Sequence, residues 1–400
     1  MTGVQTCALP ILNIAKLSLA AIIALGSSAY ALEDIKVAGE AKLWYQTSDT
    51  GASGVSFFDK KSALGQAALM MTATGKVSSS TGFGIGATAL DTLGLENNLV
   101  NGVPSGIGAN AGHGADNLKT QWWVREAYIT HKFGNTLAKI GRQELNTPLA
   151  FTEKWNIASN TFDAAVLINS DVPNTTLIGA YVGKGNGSKV AVVALDGEFT
   201  NYVNSGAYAF AALNKSIENF PINLWYYNVD TVATAIWADT NTSVGMAKIG
   251  LQYGSMDPKA AGSETTDAFG VKVSGKVNNI ALSLAYTDVS EGVLPVANTA
   301  TGFKKTKLYT ATVFSDGTVA GMPDTSSFKI QAKTKVGSVK LIGQYGSYDQ
   351  AGTDKSEFDL IAVTKMNNIN LKALYIHQGF DSKLDKDDID RIRVIASVKF

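Results

Sequence analysis

The chain contains one cysteine, Cys7, which excludes a disulfide framework and a thiolate metal centre. Proline is scarce, at 8 in 400 residues, and charged residues make up only 17%, against roughly a quarter in ordinary soluble domains. Lys plus Arg equal Asp plus Glu at 34 each, so no basic excess is available for a nucleic acid. Beyond residue 32 no apolar run approaches the ~18 residues of a membrane-spanning helix. The 45% of hydrophobic residues are therefore dispersed along the chain. Catalytic signals are also lacking. There is no G-x-S-x-G turn and no carboxylate pair suited to acid and base roles. The three histidines, His113, His131 and His377, are far apart with no metal-ligand spacing. An enzyme is not expected.

What is present begins with an export signal. Residues 17–25, LSLAAIIAL, are a short apolar core after Lys16, and Ala29-Tyr30-Ala31 has the A-x-A form of a cleavage site. Residues 1–31 read as a secretory signal peptide, with a mature chain from Leu32. The first 11 residues, MTGVQTCALPI, carry no charge and read as translated adaptor or cloning sequence. Cys7 precedes the apolar core, so it is not a lipid-attachment cysteine.

From residue 32 one device repeats: about ten alternating residues, then a turn. In IKVAGEAKLWYQ, Ile35, Val37, Ala41, Leu43 and Tyr45 share one face, and Lys36, Glu40, Lys42 and Gln46 share the other. Period two means extended strand. Gly134-Asn135, Asn278-Asn279 and Asn367-Asn368 join such segments as hairpin turns. Short connections alternate with long ones at 94–120, 146–160, 184–205, 256–265, 290–326 and 379–388. That asymmetry predicts an all-β fold, a transmembrane antiparallel up-and-down β-barrel of about 18 strands, with 16 as the other tally. TKLYTATVF would make the count odd and is assigned to the 290–326 loop. The last segment, RIRVIASVKF, alternates to its final residue. Phe400 is assigned to barrel closure and to the assembly signal, with Arg391, Arg393 and Lys399 facing the lumen. Tyr45, Tyr128, Tyr181, Trp225, Tyr286 and Tyr375 are expected at the membrane interfaces. A periplasmic β-sandwich would alternate too, but would carry a richer Val/Ile/Leu core than these Ala-rich faces.

Residues 122–187 contain REAY, then IGRQEL, a Trp-bearing loop, TFDAAVL and NTTLIGAYV. In order and spacing they resemble the major outer membrane porins of the epsilonproteobacteria, which are similar in turn to the OprD-type channels. The start KLSLAA with ALED is also similar to that family. The resemblance implies an 18-stranded barrel and a homotrimer in a Gram-negative outer membrane. Its partners would be lipid, lipopolysaccharide and the barrel-assembly machinery, and it would pass small hydrophilic solutes passively. It also implies that the third long loop, 146–160, folds inward as a constriction. Glu153 and Lys154 are its charges, Glu144 stands at its root, and Arg125 and Arg142 flank it. Facing acids and bases there would set up a transverse field. Parity puts Arg125 with Trp123, Ile129 and Phe133, so a neighbouring subunit is its other candidate contact.

Two weaker features complete the reading. The acidic run DKDDID offers Asp385, Asp387 and Asp388 as Ca²⁺ ligands, but it lacks the Gly and terminal Glu of an EF-hand loop and reads better as solvated charge. Gly-rich 106–114 precedes no helix and is a loop, not a phosphate cradle. No cofactor is expected. The competing function is a structural or adhesive surface barrel closed by its loops.

Overall fold

The computed structural model describes residues 32–51, 56–104, 120–187, 197–203, 205–381, 384 and 387–400. The signal segment with Cys7, the Gly-rich 106–114 with His113, and Asp385 lie outside these residues.

Each alternating segment forms a strand, and successive strands pair antiparallel around a ring. The strands are β1 (Glu33–Asp49), β2 (Ala63–Lys76), β3 (Thr81–Asp91), β4 (Gln121–Phe133), β5 (Thr136–Gln143) and β6 (Phe162–Asn169). They continue as β7 (Thr175–Gly185), β8 (Ala207–Asn214), β9 (Ile222–Val229), β10 (Ala233–Val244), β11 (Ala247–Pro258) and β12 (Thr266–Val277). The ring is completed by β13 (Ile280–Val289), β14 (Thr325–Val336), β15 (Val339–Gln350), β16 (Thr353–Met366), β17 (Ile369–Phe380) and β18 (Ile389–Lys399). A further two-residue ladder, Thr200–Asn201, pairs only with the end of β7.

The ring closes where the first and last strands meet, in register from Glu40↔Lys399 to Asp49↔Asp390. Phe400 extends that ladder: Gly39 N–H donates to its carbonyl at 2.7 Å, and its own N–H donates to Gly39 O at 3.1 Å. Gly39 is required there, because a Cβ would fall 2.6 Å from the Phe400 ring. Closure leaves no sheet edge, which in hydrocarbon would expose unpaired N–H and C=O groups.

All connections at one rim are short. Several turn on a residue with positive φ, such as Asn278 (54°), Asn367 (52°) and Gly337 (59°), the backbone a tight hairpin needs. The other rim carries the longer connections, seen in the described residues of 50–62, 92–120, 144–161, 186–206, 259–265, 290–324 and 381–388, together with tight turns at 230–232 and 351–352. TKLYTATVF lies in loop 290–324 and forms no strand.

Outward positions are apolar, as the period predicts. Leu43, Ile129, Ile140, Phe269, Leu360 and Val394 are exposed on the outer wall. Two interfacial assignments are corrected. Trp225 is buried inside, stacked on Tyr227 at 6.0 Å. Tyr128 also points inward, beneath Lys139 Nζ at 3.8 Å.

The interior is not uniformly wet. Loops 144–161 and 290–324 both fold into the barrel. Leu149, Val296, Ala300 and Leu308 pack with Trp237, Met256 and Ala268 of the wall, a dry core against β6–β13. Along β14–β18 and β1–β4 the inward positions are instead polar, with Gln344, Glu357, Gln378, Arg393, Gln46 and Glu126 among them.

Candidate functional site: the two inward loops and the lumen wall

The constriction loop starts where β5 ends. Beyond Gln143 the chain leaves the wall and returns at Phe162. Inside the loop, Thr147 Oγ1 donates to Ala150 O at 2.7 Å, and Asn160 Oδ1 accepts from Glu153 N–H at 2.7 Å. Small polar side chains thus replace the missing strand ladder.

A β-bulge turns Arg125 toward this loop. On β4, Glu126 pairs with Gly86 while Val124 pairs with the next residue, Ala87, so Arg125 is the extra residue. A bulge re-aims a side chain and reverses the alternation. Trp123 is therefore inward at 6% exposure, whereas Ile129 is outward at 60%. The parity expectation that grouped Arg125 with Ile129 and Phe133 fails for that reason. Arg125 pairs with the Glu144 carboxylate, and Lys154 Nζ reaches the same carboxylate at 2.6 Å. One acid held between two cations is the charged centre of the site.

Glu144 and Lys154 also mark where two cavities meet. One, of about 370 Å³, is lined also by Lys42, Arg125 and Lys399. The other, of about 680 Å³, is lined also by Glu153, Trp155, Lys305 and Lys307. The two share only Glu144 and Lys154 among their lining residues. A separate apolar cavity of about 290 Å³, lined by Leu149, Tyr202, Tyr227 and Met256, lies away from these charges.

The other two constriction candidates stand apart. Arg142 pairs with Asp163 at 2.8 Å, donates to Val124 O at 2.9 Å and lies over the Phe199 ring. In register it is paired with Ala127, on the side of Ile129 and Ile140 that faces outward. Glu153 is buried. It accepts from Asn298 Nδ2 at 2.9 Å, from the Thr301 hydroxyl and from the Trp155 indole. Its carboxylate joins the two inward loops where they border the larger of the two cavities.

Loop 290–324 supplies what the sequence reading left unaligned. Its tip docks on two wall carboxylates. Glu357 accepts from the N–H groups of Phe314 (2.8 Å) and Ser315 (2.6 Å) and from the Ser315 hydroxyl (2.8 Å), and Asp359 accepts from Val313 N–H (3.3 Å). The docked tip brings Phe314 over two arginines, with Arg391 at 4.2 Å and Arg393 at 5.0 Å from the ring centre. Arg393 also lies 4.5 Å from the Trp44 ring and donates to Gln46 at 2.8 Å, and is only 4% exposed. Both arginines point inward as alternation requires, but an aromatic cap covers them. Within the loop, burial raises the Asp316 carboxyl above its usual range despite Lys305 at 2.9 Å, and burial lowers Lys304 and Lys307.

The wall charge is unbalanced. The inward carboxylates are held by protein donors: Glu126 accepts from Thr72 (2.8 Å), Asp239 from Asn223 and Trp237 (2.9 Å each), and Glu357 and Asp359 from the loop tip. Inward lysines are numerous along the same wall. Lys42 donates to Asn156 O at 3.3 Å, Lys272 lies over the Tyr309 ring at 4.1 Å, and Lys329 donates to Ala311 O at 2.7 Å. The sequence contains their signal, since Lys329, Lys333 and Lys335 alternate in KIQAKTKV opposite outward Phe328 and Ile330.

At the outer rim, Asp388 accepts from Phe380 N–H at 3.1 Å, and Asp390 lies 2.9 Å from His377 Nδ1. Asp387 is beside Gly51. Among the described residues no group of three His, Cys, Asp or Glu is placed to hold a metal.

No protein-family model and no curated protein matches the chain. Solved structures do. Pseudomonas aeruginosa OccK9 (OpdG) superposes with a TM-score of 0.74 at 14% identity, covering 92% of this chain and 98% of that one. Acinetobacter baumannii OccAB2 gives 0.72 at 13%, with the same coverage. Pseudomonas aeruginosa OpdK, solved with vanillate, gives 0.71 at 13%, again covering 92% and 98%. The chain shares the closed eighteen-stranded barrel of these OprD/Occ-type proteins. At such identities the likeness is one of fold.

Proposed function

We propose that this chain is an outer-membrane porin through which small hydrophilic solutes and ions diffuse passively. The observation that carries this is the meeting of two charged cavities at Glu144 and Lys154 within a closed, apolar-walled barrel. A passive pore needs a polar path, a narrow point and a local field. The two inward loops supply the narrow point, and the Arg125–Glu144–Lys154 group supplies the charge. The inward lysines of the wall, among them Lys42, Lys272 and Lys329, set a positive local field that favours anions. The adhesive reading, a barrel sealed by its loops, predicts no conductance.

The same fold supports placement in a Gram-negative outer membrane, as does the reading of residues 1–31 as an export signal. The finer kinship, to the epsilonproteobacterial porins, rests on the motifs within residues 122–187. Assembly as a homotrimer and recognition of Phe400 by the assembly machinery belong to the same reading. So does the absence of catalysis.

Planar-bilayer recording tests the proposal. Purified protein is expected to give stepwise conductance, with a reversal potential in a salt gradient of the sign for anion preference. A correctly folded, inserted barrel that stays silent would overturn it.

A further inference from the structure

Protein interiors keep few voids larger than a water molecule. The dry core of this barrel keeps a large one. On β10 the first two inward residues after the tight turn at 230–232 are both alanine, Ala233 and Ala235. In register, Ala235 lies between Tyr227 of β9 and Met256 of β11, and Ala233 lies between Val229 and Pro258. A small residue flanked by large ones leaves a hollow. Loop 290–324 does not fill it, because it too presents an alanine there, Ala300. The result is the apolar cavity of about 290 Å³.

The lining has a definite chemistry. No charged side chain takes part in it. Most of it is apolar, with Met256, Leu294 and Phe303 beside the three alanines. One end is polar. Thr299 Oγ1 donates to Leu149 O at 2.8 Å, so the Tyr202 hydroxyl bonded to Thr299 is the donor of that pair. Tyr202 therefore keeps its oxygen lone pairs for a further donor. Two other lining residues, Asn201 and Val232, are exposed, which gives a solute access.

We propose that this hollow is a binding site for a small neutral molecule with an apolar body and one hydroxyl group. Size, charge and polarity each narrow the occupant. An apolar cavity of about 150 Å³ takes benzene, so this one has room for a six-membered ring with a short substituent. Water needs several polar partners and would find them at the Tyr202 end alone. An ion would be desolvated there with no partner of opposite charge. The hollow thus rejects the ions that the two charged cavities favour. Leu149 and Thr299 belong to the two inward loops, so the occupant sits where those loops meet, off the path through Glu144 and Lys154. Binding here does not require that the barrel conduct.

Cyclohexanol is the probe, added to the full barrel in detergent with ¹³C-labelled methionine methyl groups. The Met256 resonance, assigned through Met256→Leu, is expected to shift and to saturate. Met246 and Met366 are exposed at the short-turn rim and report partition into detergent. Cyclohexanecarboxylate should leave Met256 unmoved. Ala235→Leu fills the hollow and should raise the half-saturating concentration about tenfold or more. Ala300→Leu fills it from the loop side and covers the case in which Ala235→Leu does not fold. Tyr202→Phe keeps the hollow but removes the polar end, and should weaken binding about twofold to tenfold. A Met256 shift that rises linearly in step with Met246 and Met366 would overturn the proposal. So would an equal response to the carboxylate, or unaltered saturation in a folded variant with the hollow filled.

Discussion

Asn298 Nδ2 donates to Glu153 Oε1 at 2.9 Å, across 145 residues of sequence. The same amide nitrogen donates to Phe151 O at 2.9 Å, and its oxygen accepts from Phe151 N–H at 3.0 Å. One buried amide thus couples the two loops that shape the lumen.

Asn298→Ala should uncouple them. The change leaves Phe151 N–H unsatisfied and Glu153 with fewer donors, at a cost of about 1–3 kcal/mol. The expected outcome is faster amide hydrogen exchange at Phe151 and Glu153, with noisier single-channel current. The strand ladders should keep their protection. Unchanged exchange at both positions would refute the coupling.

Phe314→Ala should uncover Arg391 and Arg393. The aromatic cap contributes about 0.5–2 kcal/mol per cation, so the loop tip loosens while Glu357 still holds its backbone. The reversal potential is expected to move further toward anion preference, and conductance to rise. Identical selectivity in the variant would show that these arginines do not face the path.

Arg125→Ala and Arg142→Ala should differ. Arg125 shares Glu144 with Lys154 where the two cavities meet, so its loss leaves that carboxylate less neutralised and shifts the reversal potential toward cations. Arg142 pairs with Asp163 on the outward-facing side, so its removal should leave the potential unchanged within error. The cost there is to local packing, about 0.2–1 kcal/mol for a partly exposed pair. Equal shifts in the two variants would contradict the assignment.

The strands were legible because alternation is a local property. A residue's side of a sheet follows from its neighbours two positions away, and an Asn or Gly turn needs only its own positive φ. RIRVIASVKF therefore announced both strand and inward charge before any fold was known. The parity that grouped Arg125 with Ile129 and Phe133 failed for the same reason. A bulge is one extra residue that parity counting cannot see, and its position shows only once Val124 and Glu126 are paired with Ala87 and Gly86.

The loops obeyed no such rule. Glu153 borders the larger cavity as a constriction charge should, but its bonds to Asn298 and Thr301 could not be read from the sequence. Phe314 carried no signal at all.

The amino-acid sequence by itself determined a barrel: strand period, turns, an apolar outside and a ring that closes on Phe400. Only the tertiary structure decided how the interior is filled. Loop 290–324 finds its seat through contacts with residues as distant as Leu149, Glu357 and Arg393. Such pairings depend on where the closed ring places each wall position in space, which no local pattern encodes.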